Sequence, residues 1–485
     1  MRKAVFILFF IVILCFSQVC VSADGYTYIP YDAYGYDEWN SLQSSTSGYI
    51  PEKAVYSDNQ SKIFFSKPQD MVFADDGNIY VLNSGEVGVI ILNTNFDLIG
   101  QISDFYKADG EKINLLEPIG IYVREQKLYI ADKGLQEVLV CDLSGKIIKE
   151  LTKPTNAVFP QQKEFLPTKV LSDSYGNIYV IVDGIYQGAV CFDADGNFTE
   201  FFGSNDVVLT ASQALQRFWR NFMTEAQRDS TSGIVPTEYT NFDIDSEDFI
   251  YSCTAVGSGD TNQLRKLNPL GDNIYVQRGY GDLEKNWVKG KYKQTSFIDV
   301  AIDNDGFLFA LDETYGRIFV YDSEGNETFV FGAIGERLGN FENVTAIDVY
   351  DNCVYVLDGK KASITKFIRT DYGQTVCDAT LAYLNGNYED SKQLWENVLQ
   401  YNCNNKLAYN GIGKAYYYSG DYENAKKFFV LGADKAQESK VFDMSRKVFL
   451  RNLLVYAVPA VIIGAVLLIA FNKIRKRGKT RCGKR

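Results

Sequence analysis

Carboxylates are the side chains in this sequence best placed to do chemistry. The stretch "DDGNIYVLN" (75–83) sets Asp75 and Asp76 beside Gly77 and Asn78, directly before an alternating apolar run. Acids so paired could act as general acid and base, hold a metal ion, or only shape a turn. "DADGN" (193–197) and "DNDG" (303–306) resemble the start of a calcium-binding loop, but no helix–loop–helix pattern surrounds them, and they read as turns. Histidine is absent from all 485 residues, which excludes Ser-His-Asp, Cys-His and histidine–metal mechanisms.

The elements that must position these acids are set by repetition. The pattern of "DGNIYVLN" recurs as "REQKLYIAD" (124–132), "SYGNIYVIVD" (174–183), "SEDFIYSC" (246–253), "NDGFLFALD" (304–312) and "YDNCVYVLD" (350–358). Its shared aromatic falls at Tyr80, Tyr129, Tyr179, Tyr251, Phe309 and Tyr355. Each copy reads as strand, tight turn, strand, loop, strand, turn, strand, as in "FIDVAID", "LFALD", "RIFVYD" and "ETFVFG" between 297 and 332. Four short antiparallel strands every 45–50 residues is the pattern of a propeller blade. The Asp-Gly and Asn pairs then supply the positive φ of two-residue hairpin turns. Second strands end at Asn83, Asp132, Asp183, Asp312 and Asp358, which share one face by topology and are the ligand-face candidates; an aspartate there can also bond only its own loop.

Both chain ends point to a membrane. Arg2 and Lys3 precede an apolar run from Ala4 to Phe16, and "VSA" (21–23) offers the small residues of a signal-peptidase site. Residues 453–471 are apolar and uncharged for the length of one bilayer crossing, and a basic tail (472–485) follows. The net charge of −12 is the balance of +2 at residues 1–3, +8 from Asn472 onward, and −22 between them. So acidic a body repels nucleic acid and anionic substrates. The expected topology is single-pass, with the N-terminus extracytoplasmic and the tail cytoplasmic. Cys141, Cys191, Cys253, Cys353, Cys377, Cys403 and Cys482 show no regular spacing, so disulfides are not expected to be the scaffold.

The blades resemble NHL repeats, on "EPIGIYV" (117–123), "DDGNIYVLN", "GAVCFDADGN" (188–197) and "GRIFVYDSEGN" (316–326). The resemblance implies a six-bladed propeller over 59–373; the fourth copy departs most, lacking the turn glycine and the closing aspartate. An insertion at 204–233 contains "TASQALQRFWRNFMTEAQR", an amphipathic helix whose Phe218, Trp219 and Phe222 pack on the propeller rim or dock a partner. Further on, "NGNYEDSKQLW" and "SGDYENAKKFF" begin 34 residues apart, aligning Tyr388 with Tyr422 and Trp395 with Phe429. This resembles two tetratricopeptide repeats (374–440), which generally bind proteins or act as spacers; Trp395 and Tyr422 are further docking candidates. The Tyr-rich segment 24–58 either supplies the strand that closes the ring or stacks on sugar rings.

The chain is thus expected to be mainly β, with a propeller, a small helical segment and one transmembrane helix. Together these features resemble exported bacterial NHL proteins with tetratricopeptide repeats, a group commonly found beside sugar ABC importers. The resemblance implies a non-enzymatic binding or scaffold protein with protein partners, importer components among them, and an oligosaccharide ligand. No cofactor or metal is expected. The alternative is a calcium-dependent lactonase-like propeller, which needs acidic and amide side chains converging in the channel.

Overall fold

A computed structural model describes residues 29–36, 41–57, 63–85, 88–203, 238–254, 262–282, 286–288 and 291–482. The expected signal peptide (1–23) and the expected insertion helix with Phe218, Trp219 and Phe222 lie outside the described residues. All six repeated aromatics sit on the second strand of a separate antiparallel sheet and are buried. The sheets span 68–102, 118–151, 167–202, 239–267, 297–331 and 344–369, here blades 1 to 6. They form a six-bladed β-propeller. In every blade the first strand carries an irregularity at the same place, between residues such as Pro68 and Asp70 or Phe297 and Asp299.

The turns differ in one respect from the two-residue hairpins read from sequence. In blade 1 the Ala74 amide donates to the Asn78 carbonyl and the Gly77 amide to the Ala74 carbonyl. Three residues therefore form the loop, and one of them, Gly77 (φ 78°), takes the left-handed conformation. Genuine two-residue turns occur at Glu125–Gln126 and Asp351–Asn352, where both residues have positive φ. In blade 4 Asp248 (φ 62°) stands where the loops of blades 1, 3 and 5 have glycine, so the most divergent copy still makes its hairpin. That blade has three strands among the described residues.

Blade 6 supplies only three strands from its own stretch of chain. Its outer strand is Tyr49–Tyr56, which pairs antiparallel with Ser363–Arg369. The Tyr-rich segment therefore closes the ring, and the propeller begins at residue 49, ahead of the expected 59. Tyr49 is 1 % exposed and stacks on Phe331 at 5.0 Å, with Phe309 and Phe329 against its edges.

Helices α1 (Asp371–Leu384), α2 (Tyr388–Tyr401), α3 (Lys406–Ser419) and α4 (Tyr422–Leu431) form two hairpins. The 34-residue period is real in space: Ser391 and Ala425, and Trp395 and Phe429, are buried at matching places in α2 and α4. Phe329 of blade 5 meets Tyr372 of α1 edge-on, and Lys414 of α3 pairs with Glu324 in blade 5's last turn. The hairpins are therefore continuous with the propeller core. Helix α5 (Lys435–Cys482) packs on α4 through Val441 and then carries the apolar stretch, including Pro459. It is long and apolar enough to cross a membrane.

Because Tyr49 locks the closing strand, Tyr49→Ala should lower the unfolding free energy of the detergent-solubilised protein by about 3–5 kcal/mol in urea titration. Tyr49→Phe keeps the ring, loses only the hydroxyl that accepts from Arg369 Nε, and should cost about 1 kcal/mol.

Candidate functional site

The first strand of each blade runs beside the central axis, and its polar residues decide what the channel contains. At the third position of these strands stand Asp70, Gly120, Lys169, Asn241, Asp299 and Ala346. Lys169 Nζ lies 2.8 Å from Asp70 Oδ1, and Asn241 Nδ2 donates to Asp299. Gly120 permits the close approach of blade 3, since a Cβ there would meet the Thr168 carbonyl oxygen at 2.4 Å. Burial pushes the Lys169 ammonium down, yet Asp70 and Asp299 together hold it above its usual range. These four side chains, buried except for the half-buried Lys169, plug the middle of the channel.

The channel carboxylates also join the blades. Asp70 accepts from Met71 of its own strand and from Ile121 in blade 2, at 3.1 and 2.9 Å. Asp299 accepts from Val300 and from Ile347 in blade 6, at 2.8 and 2.7 Å. Two positions further along, Asp243 reaches Ile302 in blade 5 and Asp348 reaches Phe73 in blade 1, at 2.8 and 2.7 Å. Burial raises the affinity of Asp243, Asp299 and Asp348 for protons, and the amides work against it.

Beyond the plug the channel opens into a cavity of about 890 Å³ at the end where first and second strands are joined. Seven aspartates and two arginines line it. Asp75, Asp305 and Asp351 stand exposed on hairpin turns, whereas Arg124 and Arg369 are tied into the wall. Arg124 Nη1 donates to the Ser172 carbonyl; Arg369 Nη2 lies 3.4 Å from Asp303. Tyr350 stacks on Phe73 at 4.8 Å and remains 38 % exposed. Its hydroxyl lies over Gly77, where a Cβ would approach it to 2.7 Å. The glycine of "DDGN" thus shapes the turn and makes room for an aromatic platform, while Asp75 contributes to the rim.

The five strand-end residues expected at a ligand face lie at the opposite end of the second strands. Asn83 accepts from the Ser66 amide and donates to the Phe64 carbonyl. Asp132 accepts from Leu116, Glu117 and Leu135, and Asp312 from Ser296, Thr314 and Tyr315. Asp358 takes four amides, those of Glu342, Asn343, Lys360 and Lys361. These four are buried, and their oxygens clamp the loop that enters their own blade; Asp183 is the exposed one, paired with Lys133 at 2.7 Å. The docking candidate Trp395 is 3 % exposed and packs on Gly411, and Tyr422 lies against Tyr417. Sequence reasoning missed Asp243, Asp348, Arg124 and Arg369. Their signal was a polar residue within or at the end of an innermost or closing strand.

Among the described residues no group of three or more Asp, Glu or Cys side chains is arranged to hold a metal ion. Cys141, Cys191, Cys253, Cys353, Cys377 and Cys403 are free thiols, and Cys403 is the exposed one among them.

No protein-family model matches the chain, and no curated protein matches it. Solved structures do. Virginiamycin B lyase from Staphylococcus aureus is similar at 9 % identity and a TM-score of 0.41, covering 66 % of this chain and 99 % of that one. A structural-genomics protein of unknown function from Bacteroides thetaiotaomicron is similar at 10 % identity and a TM-score of 0.42, covering 67 % and 74 %. Regucalcin, a calcium-binding protein from Agrobacterium tumefaciens, is similar at 10 % identity and a TM-score of 0.37, covering 63 % and 91 %.

The cavity wall carries a testable pH dependence. Burial pushes Asp303 up to about 6, against the Phe307 amide and Arg369. A carboxyl whose folded pKa exceeds its unfolded value stabilises the fold at low pH, and that contribution is lost as pH rises from about 4 through about 6. Asn93 and Asn268, in turns that follow third strands, accept the amides two and four residues on just as Asp303 does, so Asp303→Asn keeps the cap. Urea midpoints of this variant should change less between pH 4 and 6.5 than those of the parent.

Proposed function

We propose that the protein is a membrane-anchored, extracytoplasmic binding or scaffold protein whose channel-mouth cavity takes a polar, uncharged or cationic ligand, with oligosaccharide as the best-suited class. The observation that carries this reading is the cavity, whose volume of about 890 Å³ lies in the range of small-molecule sites. The carboxylates of Asp75, Asp305 and Asp351 suit hydroxyl donors, and the open face of Tyr350 suits the apolar face of a sugar ring. The same charge disfavours anionic ligands. The likeness of the blades to NHL repeats and of the hairpins to tetratricopeptide repeats supports a second role, in which the helices meet a partner such as an importer subunit.

Calorimetry on the solubilised protein tests the ligand class. Neutral oligosaccharides should bind, uronate-containing ones of equal length at least about tenfold more weakly, a difference of about 1.4 kcal/mol. The double variant Asp305→Ala, Asp351→Ala should weaken neutral-glycan binding. Absence of binding to any neutral glycan would sink the carbohydrate assignment.

Topology has its own readout. An impermeant maleimide should label Cys403 in intact cells and Cys482 only after lysis, and labelling of Cys482 in intact cells would reverse the orientation.

A further inference from the structure

A second cavity, of about 290 Å³, is assembled from three separate parts of the chain. The hairpin Tyr34–Tyr36 with Leu42–Ser44 forms one wall, Glu327 and Thr328 of blade 5 another, and the α2–α3 loop with the first residues of α3 (402–407) the third. Two acids lie close together here, and the structure treats them differently. Asp282 is served by Arg317 and by the hydroxyls of Tyr34 and Tyr36, and its own amide donates to Thr295. The Glu327 carboxylate meets no hydrogen-bond donor or cation among the described residues.

We propose that this cavity binds a primary ammonium group, with Glu327 as its counter-ion. Glu327 is half-buried, and a carboxylate so placed with no cation among the described residues is stabilised directly by a matching one. Other candidates for the role are engaged: Arg317 lies on Asp282 and over the rings of Tyr34 and Tyr315, and Lys406 has partners of its own. The remaining lining suits an ammonium with a polar body. Tyr36, Gln43, Ser44 and Asn404 line the same cavity as Glu327 and offer an aromatic ring and neutral hydrogen-bonding groups. The size admits a monosaccharide amine or the end of a lysine side chain, and excludes an oligomer.

The electrostatics add a signature. Burial, with Asp282 nearby, pushes Glu327 up to about 8. Arg317 and the phenols of Tyr34 and Tyr36 face the same region, and Lys406 lines the pocket. That raised proton affinity opposes ionisation in the empty site, and an arriving ammonium favours the ionised form. Binding must release a proton.

The test is titration calorimetry on the full-length protein in detergent at pH 7, in two buffers of different ionisation enthalpy. Two amine probes, glucosamine and Nα-acetyl-lysine amide, are each paired with a neutral counterpart, glucose and Nα,Nε-diacetyl-lysine amide. At least one amine should bind at least tenfold more tightly than its counterpart, with net proton release. Which amine binds separates a free small molecule from a protein side chain. Glu327→Gln should abolish both the preference and the proton release while leaving the thermal transition in place. Equal affinity for amine and neutral probes, no binding of either at 10 mM, or an unaltered preference in Glu327→Gln would overturn the assignment. Should Glu327→Gln fail to fold, the amine-over-neutral preference of the parent decides together with its proton release.

Discussion

A ring of six sheets is stable only if its last sheet is fastened to its first, and in this protein one antiparallel ladder does so. Tyr49–Tyr56 lies early in the chain and Ser363–Arg369 late, yet they are adjacent strands of blade 6. Their pairing closes a loop of more than 300 residues, and the entropy of that closure must be met by local contacts. The stacking of Tyr49 among Phe309, Phe329 and Phe331 concentrates those contacts on one side chain. Because α1 begins directly after Arg369, with Thr370 as its cap, the same ladder also sets where the helical hairpins start.

The acidic residues divide into two populations. One, comprising Asp70, Asp243, Asp299, Asp348 and the strand-end clamps, spends its oxygens on backbone amides and holds blades and loops in register. The other stands on turns at the channel mouth with fewer fixed partners. A carboxylate that accepts two or more amides has little capacity left for a ligand, so the useful distinction among acids is what already occupies them.

How far the sequence could be read follows the same line. The six blades were legible because the aromatic at Tyr80 and its five relatives recurs with the period of a four-stranded sheet, and the apolar run after the hairpins declares its length directly. The divergent fourth copy also held, since an aspartate tolerates the left-handed turn conformation that glycine usually fills. The site was less legible. Asn83, Asp132, Asp312 and Asp358 repeat because every blade needs its entering loop clamped, and what repeats in every blade serves the blade. The cavity residues differ from blade to blade, so no period marks them; their meeting depends on closure by a strand hundreds of residues away. Glu327 was equally hidden, because its isolation arises only when hairpin, blade and helix loop meet.

Helix α5 is one continuous helix of 48 residues, about 72 Å at 1.5 Å per residue. Val441 is still buried against the hairpins, and the apolar stretch begins at Leu453, about 18 Å further along. The propeller therefore has no slack leash on which to tumble; it sits on a shaft. Where a flexible linker would lose its orientation within a few residues, a continuous helix carries the direction set by the hairpins into the apolar stretch.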